Sequence, residues 1–497
     1  MRPDATRAGG SVALAAGSAA NAAASTADAG LLSGAPLPLR LPVALGRALA
    51  GRLAGGAALA FMLAATVLVA AYATGAPSPL VPHSHFGFPT WMAGPLAFVF
   101  GHPTAPFEII EEGYSAFLIA MLLAYLVAVR AAGSLSLRAI VLVIAALHAL
   151  LLLVPPLQLN DLFNYLGYAR LGALHHLNPY AHVMLAESHD PVYRFASWRN
   201  YPSPYGPLFT AFSYPVALLP LPAAYWVMKL TAVLLSLGFL WLLYRCARLL
   251  GRDPRYVLVF VALNPLYLIY EVGDFHNDFF MLVPSLAAVL LLLRRRDRSA
   301  GAAVVVGAFV KFTVALILPF LLVAAGRGRR AARILIGAAA AAVLLAAGSF
   351  ALFGAHLPNV SGQSSLATPY SVANLAGVLV GVGGATPAVT HVADLLVLGL
   401  ALTLLRRRAA WIAGIAYTTL ALIAALAWVM PWYIVWALPF AALADGTGSR
   451  RLTLAFTIFL LLTFLPVSGP FLAAHGLDPF TSAFGRHVQA LAHQLSG

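Results

Sequence analysis

The stretch Ile269–Leu282, IYEVGDFHNDFFML, places Glu271, Asp274, His276, Asn277 and Asp278 within eight residues, between two long apolar runs. Only 9 % of the 497 residues are charged, whereas 61 % are hydrophobic. A soluble chain of this length could not cover so much apolar surface, so the composition is that of a polytopic membrane protein. A plain loop between membrane helices would favour Gly, Ser, Pro and Asn. Here the polar groups are flanked by Tyr267, Tyr270, Phe275, Phe279 and Phe280, which reads as the mouth of an acidic pocket.

Working outward, apolar runs of about 20 residues, the length a spanning helix needs, recur along the chain. They predict an all-α membrane bundle of 11–13 transmembrane helices over residues 43–473. Residues 1–42, rich in Ala, Gly and Ser, read as a disordered cytoplasmic tail, and residues 474–497 as a C-terminal tail. The net charge of +14 does not indicate nucleic-acid binding, because the arginines cluster at the ends of apolar runs as positive-inside anchors do. On that rule Arg245–Arg255, Arg294–Arg298 and Arg406–Arg408 face the cytoplasm. The opening stretch and the loop 158–205 face outward. One cysteine, Cys246, excludes an internal disulfide and a cysteine-based metal cluster.

Residues 299–326 break the alternation, since basic clusters flank both ends. Either one basic cluster violates the rule or the segment contains short or re-entrant helices, and irregular backbone at membrane depth is tolerated only where protein or a wet cavity surrounds it. Lys311 lies inside this segment, in GAFVKFTVALILP. A lysine at mid-membrane costs about 2.5–3.5 kcal/mol and faces a cavity or partner, so at the crest of a re-entrant loop it suits a lipid phosphate. The chain's other lysine, Lys229, sits early in its helix and reads as snorkelling to an interface.

Asp161 opens DLFNYLGYARLGAL, whose helical spacing predicts a short outer-surface helix. The residue is either a helix cap or a functional acid, and Asn160 could cap equally well. Asn277 and Asp278 suit hydrogen bonding to sugar hydroxyls. Asp274, His276 and Asp278 are also candidate divalent-metal ligands, although the spacing is a weak metal signal. YPSPYGPLF (201–209) is a rigid helix entry turn. The tryptophans of WVMPWYIVWALP (428–439) read first as an interfacial aromatic belt.

In order, NDLFNYLGYARLGALHHLNPY (160–180), SPYGPLF (203–209), NPLYLIYEVGDFHND (264–278), GAFVKFTVALILP (307–319), TPYSVANLAG (368–377) and MPWYIVWALP (430–439) resemble the GT-C class of membrane glycosyltransferases. The closer likeness is to polyprenol-phosphate-mannose-dependent α-1,6-mannosyltransferases. The resemblance implies sugar transfer with inversion from a polyprenyl-phosphate donor to a glycan or glycolipid acceptor at the outer face of a bacterial cytoplasmic membrane. It implies an acid in the first outer loop as general base. Where that family shows an acid pair, this chain has Asn160-Asp161, so Asp161 alone carries the role. Lys311, Arg170 and Arg199 are then expected to hold the phosphate, with Tyr205, Asp274, His276, Asn277 and Asp278 on the substrate. No cofactor is required by this reading, and a divalent metal is left open. The competing readings are a lipid or sugar transporter and a surface-polysaccharide polymerase or ligase.

Overall fold

The computed structural model describes residues 40–75, 89–101, 103, 107–158, 161–358, 360 and 365–496; Asn160 and most of the predicted N-terminal tail lie outside them. Among the described residues the regular structure is entirely helical, as expected. Six helices are long and apolar enough to cross a membrane alone: Leu49–Ala73, Ile109–Ser134, Leu221–Leu249, Arg329–Phe353, Pro387–Leu405 and Arg408–Ala425. Two further pairs are broken, Pro254–Ala262 with Leu266–Val272 at 55° and Gly448–Thr463 with Ser468–Ala474 at 78°. The higher number of spans expected from sequence counts every apolar run as a crossing. Several runs instead form short elements. The run beginning at 206 gives only Pro207–Ala217, and Pro431–Leu443 divides into a 3-10 turn and a helix of six residues.

Local chemistry sets the helix ends that matter. Ser136 caps Leu137–Leu152 by accepting from the Ala139 amide at 3.1 Å. Asp253 caps Pro254–Ala262, whose first residue is the proline expected at that position. The predicted helix after Asn160 runs over Asp161–Ala173, but it is enclosed rather than laid on a surface. Its residues 162–169 are all buried, and Phe163 stacks on Tyr225 with centroids 5.7 Å apart. The predicted C-terminal tail carries the helix Ala483–Ser496, with Val488 packed on Ala367, Ala373, Ala385 and Ala427.

The segment around Lys311 has the form of a hairpin. Asp297–Ala308, at 12 residues, is about 18 Å long, well short of a bilayer core of about 30 Å. The chain turns at Lys311, whose backbone is extended (φ −150°, ψ 116°). It returns through a 3-10 turn and the helix Ile317–Ala325. Asp297 before the hairpin pairs with Arg330 after it at 2.8 Å, so both ends lie together. At the tip, the Gly206 and Leu208 amides donate to the carbonyls of Val310 and Phe309, both at 3.1 Å. A Cβ on Gly206 would lie 2.2 Å from the Phe309 carbonyl oxygen, so only glycine permits this approach. The proline-rich turn is therefore the seat of the hairpin tip as well as a helix entry.

Candidate active site

Asp161 lies at the first turn of its helix with an 18 % exposed side chain. Its Oδ1 accepts from Asn164 Nδ2 at 3.0 Å, one turn along the same face. Asn164 is wholly buried. It also donates to Ser197 Oγ at 3.0 Å and accepts the amides of Ser197 and Trp198 at 2.9 and 3.1 Å. The carboxylate is thus fixed to the 183–205 loop through one amide side chain.

Asp161 Oδ2 faces His276 Nε2 at 3.4 Å, an ion-pair contact longer than a good hydrogen bond. His276 Nδ1 lies 2.6 Å from the Tyr270 carbonyl, which can only accept, so Nδ1 carries a proton. A neutral ring would then turn the Nε2 lone pair toward a carboxylate. Protonation removes that repulsion. Burial opposes the charge, yet contact with Asp161 and the fields of Asp161, Asp274 and Asp278 hold the His276 pKa above its ordinary value. The ring stacks on Trp432, centroids 3.8 Å apart. His276 follows Phe275, a bulky residue at φ +58°, a conformation retained only where surroundings enforce it.

Asp278 opens the helix Asp278–Leu293 and is 1 % exposed. Its Oδ1 accepts from Lys311 Nζ at 2.7 Å and from Trp436 Nε1 at 2.5 Å. The Lys311 side chain is 22 % exposed, with its ammonium 5.0 and 5.4 Å from the ring centroids of Trp436 and Tyr433. Burial first, then the carboxylates of Asp161 and Asp278 among its neighbours, push the Tyr205 phenol well above its ordinary pKa, so Tyr205 feels both acids. The Asn277 amide donates to Tyr165 Oη at 3.2 Å. Asn277 Nδ2, Asp278 Oδ2 and both Glu271 oxygens are buried without a well-formed hydrogen bond. Such a cluster is unusual in a folded protein and makes this region the candidate site. A small, mostly apolar cleft is lined by Met281, Leu282, Val314, Ile317, Phe440 and Trp436, with Ser285, Thr313 and Thr419 also on its wall.

Asp161, Tyr205, His276, Asn277, Asp278 and Lys311 are therefore brought together. The other expected residues make contacts within the protein. Asp274 is buried, and its Oδ1 accepts the amides of Leu157 and Gln158, both at 2.8 Å, bracing the approach to Asp161. Arg170 is paired with Asp190 at 2.9 Å, and His175 reaches the same carboxylate at 2.7 Å. Burial opposes ionisation of Asp190, but these hydrogen bonds hold its pKa below the ordinary value. Arg199 donates to the Ala196 carbonyl and lies 4.7 Å over the Tyr193 ring. Both arginines stiffen the loop. Among the described residues no three acids, histidines or cysteines converge to hold a metal, so the proposed Asp274, His276 and Asp278 ligand set does not form. Lys229 does not snorkel. It is completely buried, donates to the Val154 carbonyl at 2.5 Å, and sits 4.1 Å over Trp226 and 4.6 Å over Phe275.

Asn164 is legible from its spacing behind Asp161, and Glu271 from its place in the opening stretch. The belt expected at Trp432 and Trp436 is instead a wall of the site. Both tryptophans are 5–6 % exposed and turn inward, because Trp436 reaches Asp278 across 158 positions of chain.

The family described as alpha-(1->6)-mannopyranosyltransferase, N-terminal domain, matches residues 64–327, just over half of the chain and the whole run from Asp161 to Lys311. The chain belongs to that family. No curated protein and no solved structure matches it. As a member of the mannosyltransferase family with several membrane-length helices, it is a multi-pass membrane glycosyltransferase. The aromatic wall at 432–436 lies beyond the matched residues and joins the candidate site through the contact of Trp436 with Asp278.

Proposed function

We propose that the protein transfers a mannosyl residue from a polyprenyl-phosphate donor to a hydroxyl of a glycan or glycolipid at the outer face of the cytoplasmic membrane, with inversion. The observation that carries the reading is Lys311. Its partly exposed side chain stands at a hairpin tip, with the ammonium paired to Asp278 and facing Trp436 and Tyr433. A cation at a hairpin tip within an apolar helical bundle suits the phosphate of a lipid-linked donor. The hairpin's two ends carry Arg294, Arg295 and Arg296 on one side and Arg327, Arg329 and Arg330 on the other, so the positive-inside rule supports an outward tip.

In this reading Asp161 accepts the proton of the acceptor hydroxyl as its oxygen attacks the anomeric carbon. The bond from that carbon to the phosphate oxygen breaks, and polyprenyl phosphate leaves with the electron pair. Lys311 has three N–H donors and gives one to Asp278, leaving others for phosphate oxygens as their charge grows. His276 holds the Asp161 carboxylate in register. Such a base contributes about 10²–10⁴-fold.

The test is to incubate the purified protein in proteoliposomes with polyprenyl-phosphate mannose, glucose or arabinose and follow consumption. Mannose consumption by the parent, and a loss of about 100-fold or more in a folded Asp161→Asn variant, is expected. Full activity of that variant would remove Asp161 as the base.

A further inference from the structure

Trp198 and Trp428 come from segments far apart in the chain and meet as a half-buried corner, with ring centroids 5.8 Å apart and planes at 81°. Both are held by unusually complete backbone anchoring. The Trp198 amide donates to Asn164 at 3.1 Å, and its carbonyl accepts from the Tyr168 hydroxyl at 3.1 Å. Around Trp428, the Ala427 carbonyl accepts both the Thr368 amide, at 3.0 Å, and its hydroxyl, at 3.3 Å. The Val429 amide donates to the same hydroxyl at 3.3 Å. Two large rings left partly open on a fixed backbone form a preorganised surface whose ordering cost is already met.

We infer that this corner is the acceptor subsite, where a pyranose of the acceptor glycan lies with its C–H face on an indole ring and its hydroxyls outward. The inference rests on the transfer reaction proposed above and names where its second substrate binds. An in-line displacement puts the attacking hydroxyl and the leaving phosphate on opposite faces of the anomeric carbon. On one side of Asp161, through Oδ2, lie His276, Asp278 and Lys311. On the other, through Oδ1, lie Asn164 and then the backbone amides of Ser197 and Trp198, which carry the indole ring of Trp198 on the same loop. With the phosphate at Lys311, the acceptor enters past Trp198. The ring faces carry the negative end of the aromatic quadrupole, which attracts the weakly positive C–H groups of a neutral sugar.

The experiment pairs Trp198→Leu with Trp198→Phe, both apolar and smaller than tryptophan but only the second keeping an aromatic face, and adds Trp428→Leu. Kinetics with varied acceptor and isothermal titration of α-(1→6)-mannotetraose without donor are the readouts. The leucine variants should raise the acceptor KM and the tetraose Kd about tenfold or more, and Trp198→Phe by distinctly less, as loss of one binding anchor predicts. Donor KM should stay within about twofold. Unchanged acceptor KM and tetraose affinity in folded leucine variants, or an equal rise in donor KM, would overturn the subsite. If Asp161→Asn remains active, the base assignment falls, and the tetraose titration still decides the subsite by itself.

Discussion

The two lysines of the chain show how differently one side chain can be used inside a membrane bundle. Lys229 is sealed in a box of Tyr225, Trp226 and Phe275, with a backbone carbonyl as its hydrogen-bond acceptor. Lys311 is paired with a carboxylate, partly exposed, and placed at a break in the helix. The first ammonium ties the Leu221–Leu249 helix to the turn that presents His276. The second has donors to spare. A buried charge signals function when it faces an opening and a second charge, and signals architecture when aromatic faces enclose it.

The largest expected effect is on the Lys311 side. Lys311→Met should lower donor kcat/KM by about 100-fold or more, as loss of a charged contact to a developing anion does. It also leaves Asp278 buried with Trp436 as its remaining partner, so stability should fall by about 3–5 kcal/mol. The double variant Lys311→Met with Asp278→Asn should recover thermal stability and none of the turnover. Recovery of turnover would mean that the lysine serves only to neutralise Asp278.

On the other side of the comparison, Lys229→Met should cost about 1–3 kcal/mol in thermal unfolding while leaving donor KM within about twofold. A donor KM shift matching that of Lys311→Met would erase the distinction between the two lysines. The seat of the Lys311 hairpin gives an intermediate case. Gly206→Ala presses a methyl group onto the Phe309 and Val310 carbonyls and should destabilise by about 1–3 kcal/mol, with a raised donor KM because the tip moves.

The smallest effect is a pH dependence. The folded-state pKa of His276 lies above its ordinary value. Its contribution to stability is therefore fully present below the unfolded pKa of about 6.5 and fades as pH rises through the folded value. Thermal unfolding followed from pH 6 upward should show this loss in the parent, and the increment should vanish in His276→Gln. An identical pH profile in both would show that His276 is neutral in the folded protein.

Much of this architecture was legible in local composition. The basic clusters on both sides of residues 299–326 pointed to a short or re-entrant segment or to a break in the positive-inside rule, and the Asp297–Arg330 pair closes a hairpin. Asp161, His276, Asp278 and Lys311 stood out because polar residues are costly among apolar runs. What escaped was set by contacts across long stretches of chain. Trp436 becomes part of the site only through Asp278, and Arg170 is engaged by Asp190 in a loop with no regular periodicity. The fate of Lys229 depended on Phe275, 46 positions away, taking a left-handed conformation beneath it.

The hairpin also constrains how the chain is held in the membrane. Neither of its arms can cross a bilayer alone, and its tip carbonyls find their donors in Gly206 and Leu208. In lipid those carbonyls would have no partner. The tip carbonyls are therefore satisfied only where the 201–209 turn and residues 309–311 are docked together, so the two segments depend on each other for burial in the membrane, and the Asp297–Arg330 pair holds the two ends of the hairpin in place.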